Sequence, residues 1–187
     1  MHIERRHWLT GLLAAAPLLL SLPAASADDW AAVQSGTVVL FRHATAPGGG
    51  DPPGFKLDDC STQRNLSEEG RAQALRIGQA FKARHASVGA VWSSQWCRTR
   101  ETADIAFPKQ RVDQASFNSF FGDPGAAPEQ TRAAQALLAG WRGPGVLVVI
   151  THQVNITALT GVVPASGEGV VVRPGPQGLT VLGRIAP

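Results

Sequence analysis

The stretches Thr37-Val-Val-Leu-Phe41 and Val146-Leu-Val-Val-Ile150 are apolar almost without interruption. A strand with one wet face alternates apolar and polar residues. A strand that is apolar on both faces must be covered on both. Such runs therefore belong in a sheet with helices above and below it. Between them the pattern supplies those helices, and strand and helix signals alternate along the chain. The expectation is an α/β three-layer sandwich with a mostly parallel central sheet, folded as one domain over residues 28–187.

The helix signals are local. Ser67-Glu-Glu places a capping hydroxyl before two first-turn acids, which predicts a helix from there to about His85. Its buried face is expected to carry Ala72, Leu75, Gly78 and Phe81. Gly89–Trp92 reads as a short strand, Trp96–Phe107 as a helix stopped by Pro108, and Arg111-Val112 as a small strand. Glu129–Trp141 and Asn155–Thr160 read as further helices. Val170–Val172 and Leu179–Ile185 read as a closing strand pair, and Asp28–Gly36 as a helical lead-in. Residues 44–65 are crowded with Gly, Pro and Asp. That composition predicts a long loop, and long loops inside compact domains are usually functional.

The N-terminus has a different character. Arg5-Arg6 precede an apolar stretch of 14 residues, Leu9–Leu22, followed by Ala25-Ser26-Ala27. The stretch is short of the ~20 residues that span a bilayer. It has the layout of a cleavable export signal over residues 1–27, with cleavage before Asp28; an uncleaved anchor is the minor alternative. The arginine pair resembles a twin-arginine signal, although Glu4 stands where Ser or Thr is usual; general secretion is the other route. The mature chain is expected in the periplasm or outside the cell, without stable membrane insertion. Two cysteines, Cys60 and Cys97, suit one disulfide in such a compartment. Two buried free thiols are the alternative. A zinc site is disfavoured, because no paired Cys or His spacing accompanies them.

Charge excludes one class of partner. The net formal charge is +3 and no basic run is long enough to bind nucleic acid. The cations are mostly arginine, 14 against 3 lysines. That suits forked contacts to carboxylate or phosphate, although genomic base composition produces the same bias.

Ligands of open α/β sheets bind beyond the carboxyl ends of the strands. Arg42-His43-Ala44 follows the first strand, Ser93-Ser94 with Arg98 behind it follows the second, and Thr151-His152-Gln153 follows the most apolar strand. Of the chain's 5 histidines, His2 and His7 lie in the leader and His85 closes a helix. The remaining two both sit at strand ends. Two histidines and two arginines converging on one edge point to an anion site.

Four local patterns carry a resemblance. Phe41-Arg-His-Ala44, Arg64-Asn-Leu-Ser-Glu-Glu-Gly70, Ser93-Ser-Gln-Trp-Cys-Arg-Thr-Arg-Glu-Thr-Ala103 and Val149-Ile-Thr-His152 occur in an order that resembles the histidine phosphatase superfamily, with its phosphoglycerate-mutase-like fold. The resemblance implies that His43 attacks phosphorus and forms a phosphohistidine. It implies that Arg42 and Arg98 clamp the phosphoryl oxygens, and that His152 stabilises their charge in the transition state. Water then releases phosphate. No cofactor or metal is required, because cationic side chains supply the positive charge. The substrate is expected to be a small phosphorylated compound. The short segment after the second helix argues against a phytase, and export argues against glycolytic mutase work; a cell-envelope sugar phosphate is one substrate consistent with both.

The pattern departs from the family at the proton donor. Acid-phosphatase-like members carry Asp after the second histidine, where this chain has Gln153. Asp123 and Glu168 are the candidates for the acid. The missing obvious donor keeps open a second class of function, a phospho-ligand binding protein of the same fold with little turnover. Phe117, Phe120 and Phe121 are candidates to wall the pocket or to pack in the core. The resemblance also brings Cys60 and Cys97 near the pocket, where a bond would pin the 44–65 loop against the second helix.

Overall fold

The computed structural model describes residues 29–187; the leader and its cleavage point before Asp28 lie outside these residues. Six strands form one sheet: β1 (Val38–Arg42), β2 (Val88–Ser93), β3 (Arg111–Asp113), β4 (Val146–Thr151), β5 (Gly169–Gly175) and β6 (Gly178–Ile185). Their order across the sheet is β3-β2-β4-β1-β5-β6. The first four run parallel, and the β5–β6 hairpin joins antiparallel at the β1 side. The helices are α1 (Glu68–Ala83), α2 (Cys97–Ala106), α3 (Ala127–Gly140) and α4 (Gln153–Thr160).

The double-sided apolar runs do what their composition requires. Val39, Phe41, Val146, Val148 and Ile150 pack with Ile77, Phe81 and Ala103 of α1 and α2. Val38, Leu40, Leu147 and Val149 point the other way and pack with Ala134, Leu138, Ile156 and Leu159 of α3 and α4. Alternate residues of one strand thus feed two separate cores, and the sandwich has three layers. No helix among the described residues is long and apolar enough to cross a membrane.

The cap is where the sequence puts it: Ser67 Oγ accepts a hydrogen bond from the Gly70 N–H at 3.0 Å. The buried face of α1 differs from expectation. It carries Gly70, Ala74, Ile77 and Phe81, whereas Ala72 is exposed and Leu75 is 50% exposed. A stripe stepped by three residues drifts, because each step turns about 300° at ~3.6 residues per turn. After three such steps Ala72 lies on the opposite side of the helix from Phe81. The spacing of four, three and four residues along 70, 74, 77 and 81 stays on one side. Gly78, another member of the expected face, does meet α2: a Cβ there would lie 2.2 Å from the Ala106 carbonyl oxygen.

Two short differences complete the fold. The lead-in is a single 3-10 turn over Trp30–Ala32. The loop between β3 and α3 holds two more, Ala115–Phe117 and Pro124–Ala126.

Candidate active site

β1 and β4 are neighbours, with Arg42 opposite Thr151. The next residue on each strand is a histidine. His43 continues the ladder, its N–H donating to the Thr151 carbonyl at 2.9 Å. The two imidazoles meet edge to face, ring centres 5.5 Å apart. Both are buried. β2 ends beside them, where Ser94 N–H donates to the Ile150 carbonyl at 3.0 Å. Its continuation into α2 places Arg98 against His152. His43, Arg42, Arg98 and His152, expected at separate strand ends, all line one cavity of about 720 Å3.

The hydrogen bonds assign the tautomers. His43 Nδ1 lies 2.8 Å from the Ala44 carbonyl oxygen. A carbonyl only accepts, so Nδ1 carries the hydrogen and Nε2 the lone pair. His152 Nδ1 lies 3.4 Å from Arg98 Nη2, which only donates. His152 therefore holds its hydrogen on Nε2 and donates it to Ser94 Oγ at 2.8 Å. Ser94 passes its own hydrogen to Asn118 Oδ1 at 3.3 Å. Asn118 is fixed in turn, its Oδ1 accepting from the Gln95 N–H and its Nδ2 donating to Gln95 Oε1.

Burial, then the neighbouring Arg98, pulls the His43 pKa down to about 3. His152 is pushed well below the usual imidazole range by burial, then by His43 and the arginines. Both rings are neutral at physiological pH.

Arg42 Nη1 donates to Gln153 Oε1 and to the Pro164 carbonyl, each at 3.1 Å. Gln153, which cannot titrate, thus positions an arginine. The Nε atoms of Arg42 and Arg98 are buried donors without a partner among the described residues. Unpaired buried donors of this kind are costly unless an acceptor arrives.

Two lining residues went unassigned in the sequence. Arg64 donates from Nε to the Gly50 carbonyl at 3.0 Å and from Nη1 to the Ala46 carbonyl. Its place in the Arg64-Asn-Leu-Ser segment, directly before the α1 cap, was the available signal. Asp51 had none: it is one of several loop carboxylates. Its side chain is only 9% exposed and pairs with Arg98 Nη1 at 2.7 Å. It also accepts from Trp96 Nε1 at 3.0 Å and from the Arg64 N–H at 3.1 Å.

The proton-donor candidates separate. Asp123 lines the cavity. Glu168 does not: its carboxylate is ion-paired with Arg184 and accepts the Ala165 N–H at 2.7 Å. Burial alone would raise its pKa, but Arg184 prevails and holds it below the usual carboxylate range. Glu168 is thus held charged by Arg184 and anchors the loop before β5. The phenylalanines separate as well. Phe117 is fully buried beneath α3 and Phe120 is buried, whereas Phe121 is exposed and lines the cavity with Phe55 and Trp96.

Cys60 and Cys97 form a disulfide with Cα atoms 5.6 Å apart. It ties the 44–65 loop to the first residue of α2, next to Arg98. Gln63 reinforces the tie: its Oε1 accepts the Cys97 N–H at 2.9 Å, and its Nε2 donates to the Lys56 and Leu57 carbonyls. Among the described residues no group of three or more His, Cys, Asp or Glu is placed to hold a metal ion.

The family model of the histidine phosphatase superfamily (branch 1) matches residues 38–116, which run from β1 past β3. Solved structures of similar fold include phosphoglycerate mutase from Thermus thermophilus, at 19% identity and TM-score 0.58, with 81% of this chain and 99% of that chain covered. The protein histidine phosphatase SixA, solved with tungstate, aligns at 17% identity and TM-score 0.55 over 80% of this chain and 96% of that chain. A mutant phosphoserine phosphatase from Entamoeba histolytica, solved with phosphoserine, aligns at 13% identity and TM-score 0.56 over 80% and 96%. At these identities the likeness is one of fold. No curated protein matches the sequence.

Proposed function

We propose that the chain, whose residues 38–116 match the family model of the histidine phosphatase superfamily, is an exported, metal-independent phosphatase. It transfers the phosphoryl group of a small phosphomonoester first to His43 and then to water. One observation carries the reading: a buried, neutral imidazole with Nδ1 committed to the Ala44 carbonyl keeps its Nε2 lone pair for a cavity lined by Arg42, Arg64 and Arg98.

Each group then has a task. His43 Nε2 attacks phosphorus without needing a base, because the ring is already deprotonated. Arg98 and Arg42 offer their unpaired Nε–H groups, and with Arg64 they take up the charge of the equatorial oxygens. His152 keeps its Nε2–H on Ser94. As a dianion arrives, Nδ1 takes a proton from solvent, and the cationic ring donates it in a hydrogen bond to a phosphoryl oxygen. These cations supply the stabilisation that a metal ion would otherwise bring.

Export is supported by the leader-like residues 1–27 and by the Cys60–Cys97 disulfide, since such bonds persist in oxidising compartments. A periplasmic address and an aromatic mouth of Phe55, Trp96 and Phe121 favour a sugar phosphate of the cell envelope, whose ring can lie against those side chains.

Acid-quench labelling tests the reading. A radiolabelled phosphomonoester should leave one base-stable, acid-labile phosphate on the wild type and none on His43→Ala. A fully active His43→Ala protein would overturn it. Saturable binding with no phosphate release from any of a panel of sugar phosphates, nucleotides, phosphohistidine and aryl phosphates would instead favour a binding protein.

A further inference from the structure

Phosphoryl transfer to His43 leaves one proton unassigned. An alkoxide expelled from phosphorus needs a proton, and Glu168 is committed to Arg184. Two carboxylates line the cavity, Asp51 and Asp123. Asp123 is exposed and Asp51 is almost enclosed. Resting on the reading above, we propose that Asp51 donates the proton to the leaving oxygen from Oδ2, and that it takes this proton from solvent when the substrate's dianion comes to share the Arg98 guanidinium with it.

The geometry gives the order of events. Asp51 Oδ1 is occupied by Arg98 Nη1 and the Arg64 N–H. Oδ2 accepts one hydrogen bond, from Trp96 Nε1, and has a second lone pair to bear a proton. Arg98 thus faces both the carboxylate and the phosphoryl site. An arriving dianion competes for the same guanidinium and repels the carboxylate across the cavity. The groups around Asp51 are Arg98 from α2, Arg64 from the loop before α1, and Trp96 between β2 and α2. Across the cavity lie Arg42 and His43 after β1, His152 before α4, and Asp123 before α3. In the resting state burial raises the Asp51 pKa and Arg98 more than offsets it, so the carboxyl is charged. Once Arg98 serves the dianion, burial and repulsion act together and the proton is retained.

The protons balance. The phosphorus–oxygen bond breaks as the bond to His43 Nε2 forms, and the alkoxide takes the Asp51 proton to become the alcohol. Asp51, now a carboxylate, accepts a proton from the water that attacks the phosphohistidine. His43 Nε2 departs with its lone pair and hydrogen phosphate is released.

Leaving-group dependence tests this. A hexose 6-phosphate expels an alkoxide that must be protonated; 4-nitrophenyl phosphate expels a phenolate that need not be. Asp51→Asn keeps the Oδ1 acceptor for Arg98. It should lower kcat on the hexose phosphate by about 10²–10⁴-fold, the usual worth of a general acid, and on the aryl phosphate by under about tenfold. In the wild type, kcat on the hexose phosphate should fall on the alkaline side while kcat on the aryl phosphate stays level. Equal losses on both substrates would make Asp51 a positioning residue for Arg98 and overturn the proposal. So would selective loss in Asp123→Asn instead, or a wild-type hexose phosphate profile that is level to about pH 9. An active His43→Ala protein would sink the phosphatase reading itself, a separate result.

Discussion

Breaking the Cys60–Cys97 bond by reduction changes no side chain and so isolates what the cross-link contributes. The cysteines are 37 residues apart. Closing a loop of that size removes unfolded-state entropy equivalent to about 4 kcal/mol at 25 °C in the chain-entropy description. For a domain of this length, each kcal/mol moves the midpoint by about 2–4 °C. Reduction should therefore lower Tm by about 8–16 °C. The sheet should survive below the new midpoint, because both cores are built without Cys60 and Cys97 contributes only at the first turn of α2. Activity should fall less than stability does. The 44–65 loop remains held by Gln63 on the Cys97 N–H and by Arg64 on the Gly50 carbonyl. The assay is calorimetry of the oxidised and fully reduced wild type, with thiol titration of the unfolded protein to certify each state. A drop below about 3 °C would refute the loop-closure reasoning. Two titratable thiols in protein isolated from its native compartment would remove the cross-link altogether.

Removing the guanidinium that touches Asp51 and His152, in Arg98→Ala, should lower phosphatase turnover by about 10²–10³ or more with the fold intact by circular dichroism; a rate within threefold of wild type would place Arg98 outside the chemistry. Arg98→Lys should restore little of it, since one ammonium cannot serve Asp51, His152 and a phosphoryl group together. Stability should also depend on pH through His43. Its folded pKa of about 3 lies below the unfolded value near 6.5, so the unfolded chain binds more protons between these limits. The contribution is complete above about pH 6.5 and is lost toward pH 3, by up to about 1.4 kcal/mol per unit. Urea midpoints measured across that range should flatten in His43→Asn, and an unchanged slope would mean that the ring is not buried neutral.

The sheet is legible because its message is written twice. A run such as Val146–Ile150, apolar on both faces, needs two covering layers, and the strand ends then say where a ligand goes. His43 and His152 follow from that logic alone. Arg98 needs the further step that a helix after β2 turns back across the same edge. The buried face of α1 misleads because a three-residue step looks periodic over a short window and is not helical over a longer one. Glu168 misleads because nothing local announces Arg184, a partner 16 positions away on the last strand. Asp51 is invisible for a related reason. Its burial depends on the path of a Gly- and Pro-rich loop, and that path is set by a disulfide and by Gln63 reaching across to α2. Such long-range ties leave no periodic trace.

The pairing of Arg42 with Thr151 divides the molecule into two rates of change. The separation of the two imidazoles is set by the spacing between adjacent strands at the centre of the sheet, in the part of the fold that opens last. The rest of the cavity wall, apart from Asp51, includes residues 48–50, 55, 119 and 121–123, all in loops. Loops accept insertions and substitutions that a central strand does not. A lineage descended from this chain could therefore exchange one phosphorylated compound for another many times over while its phosphorus chemistry stood still. A laboratory library confined to those loop positions would sample new leaving groups without touching His43 or Asp51.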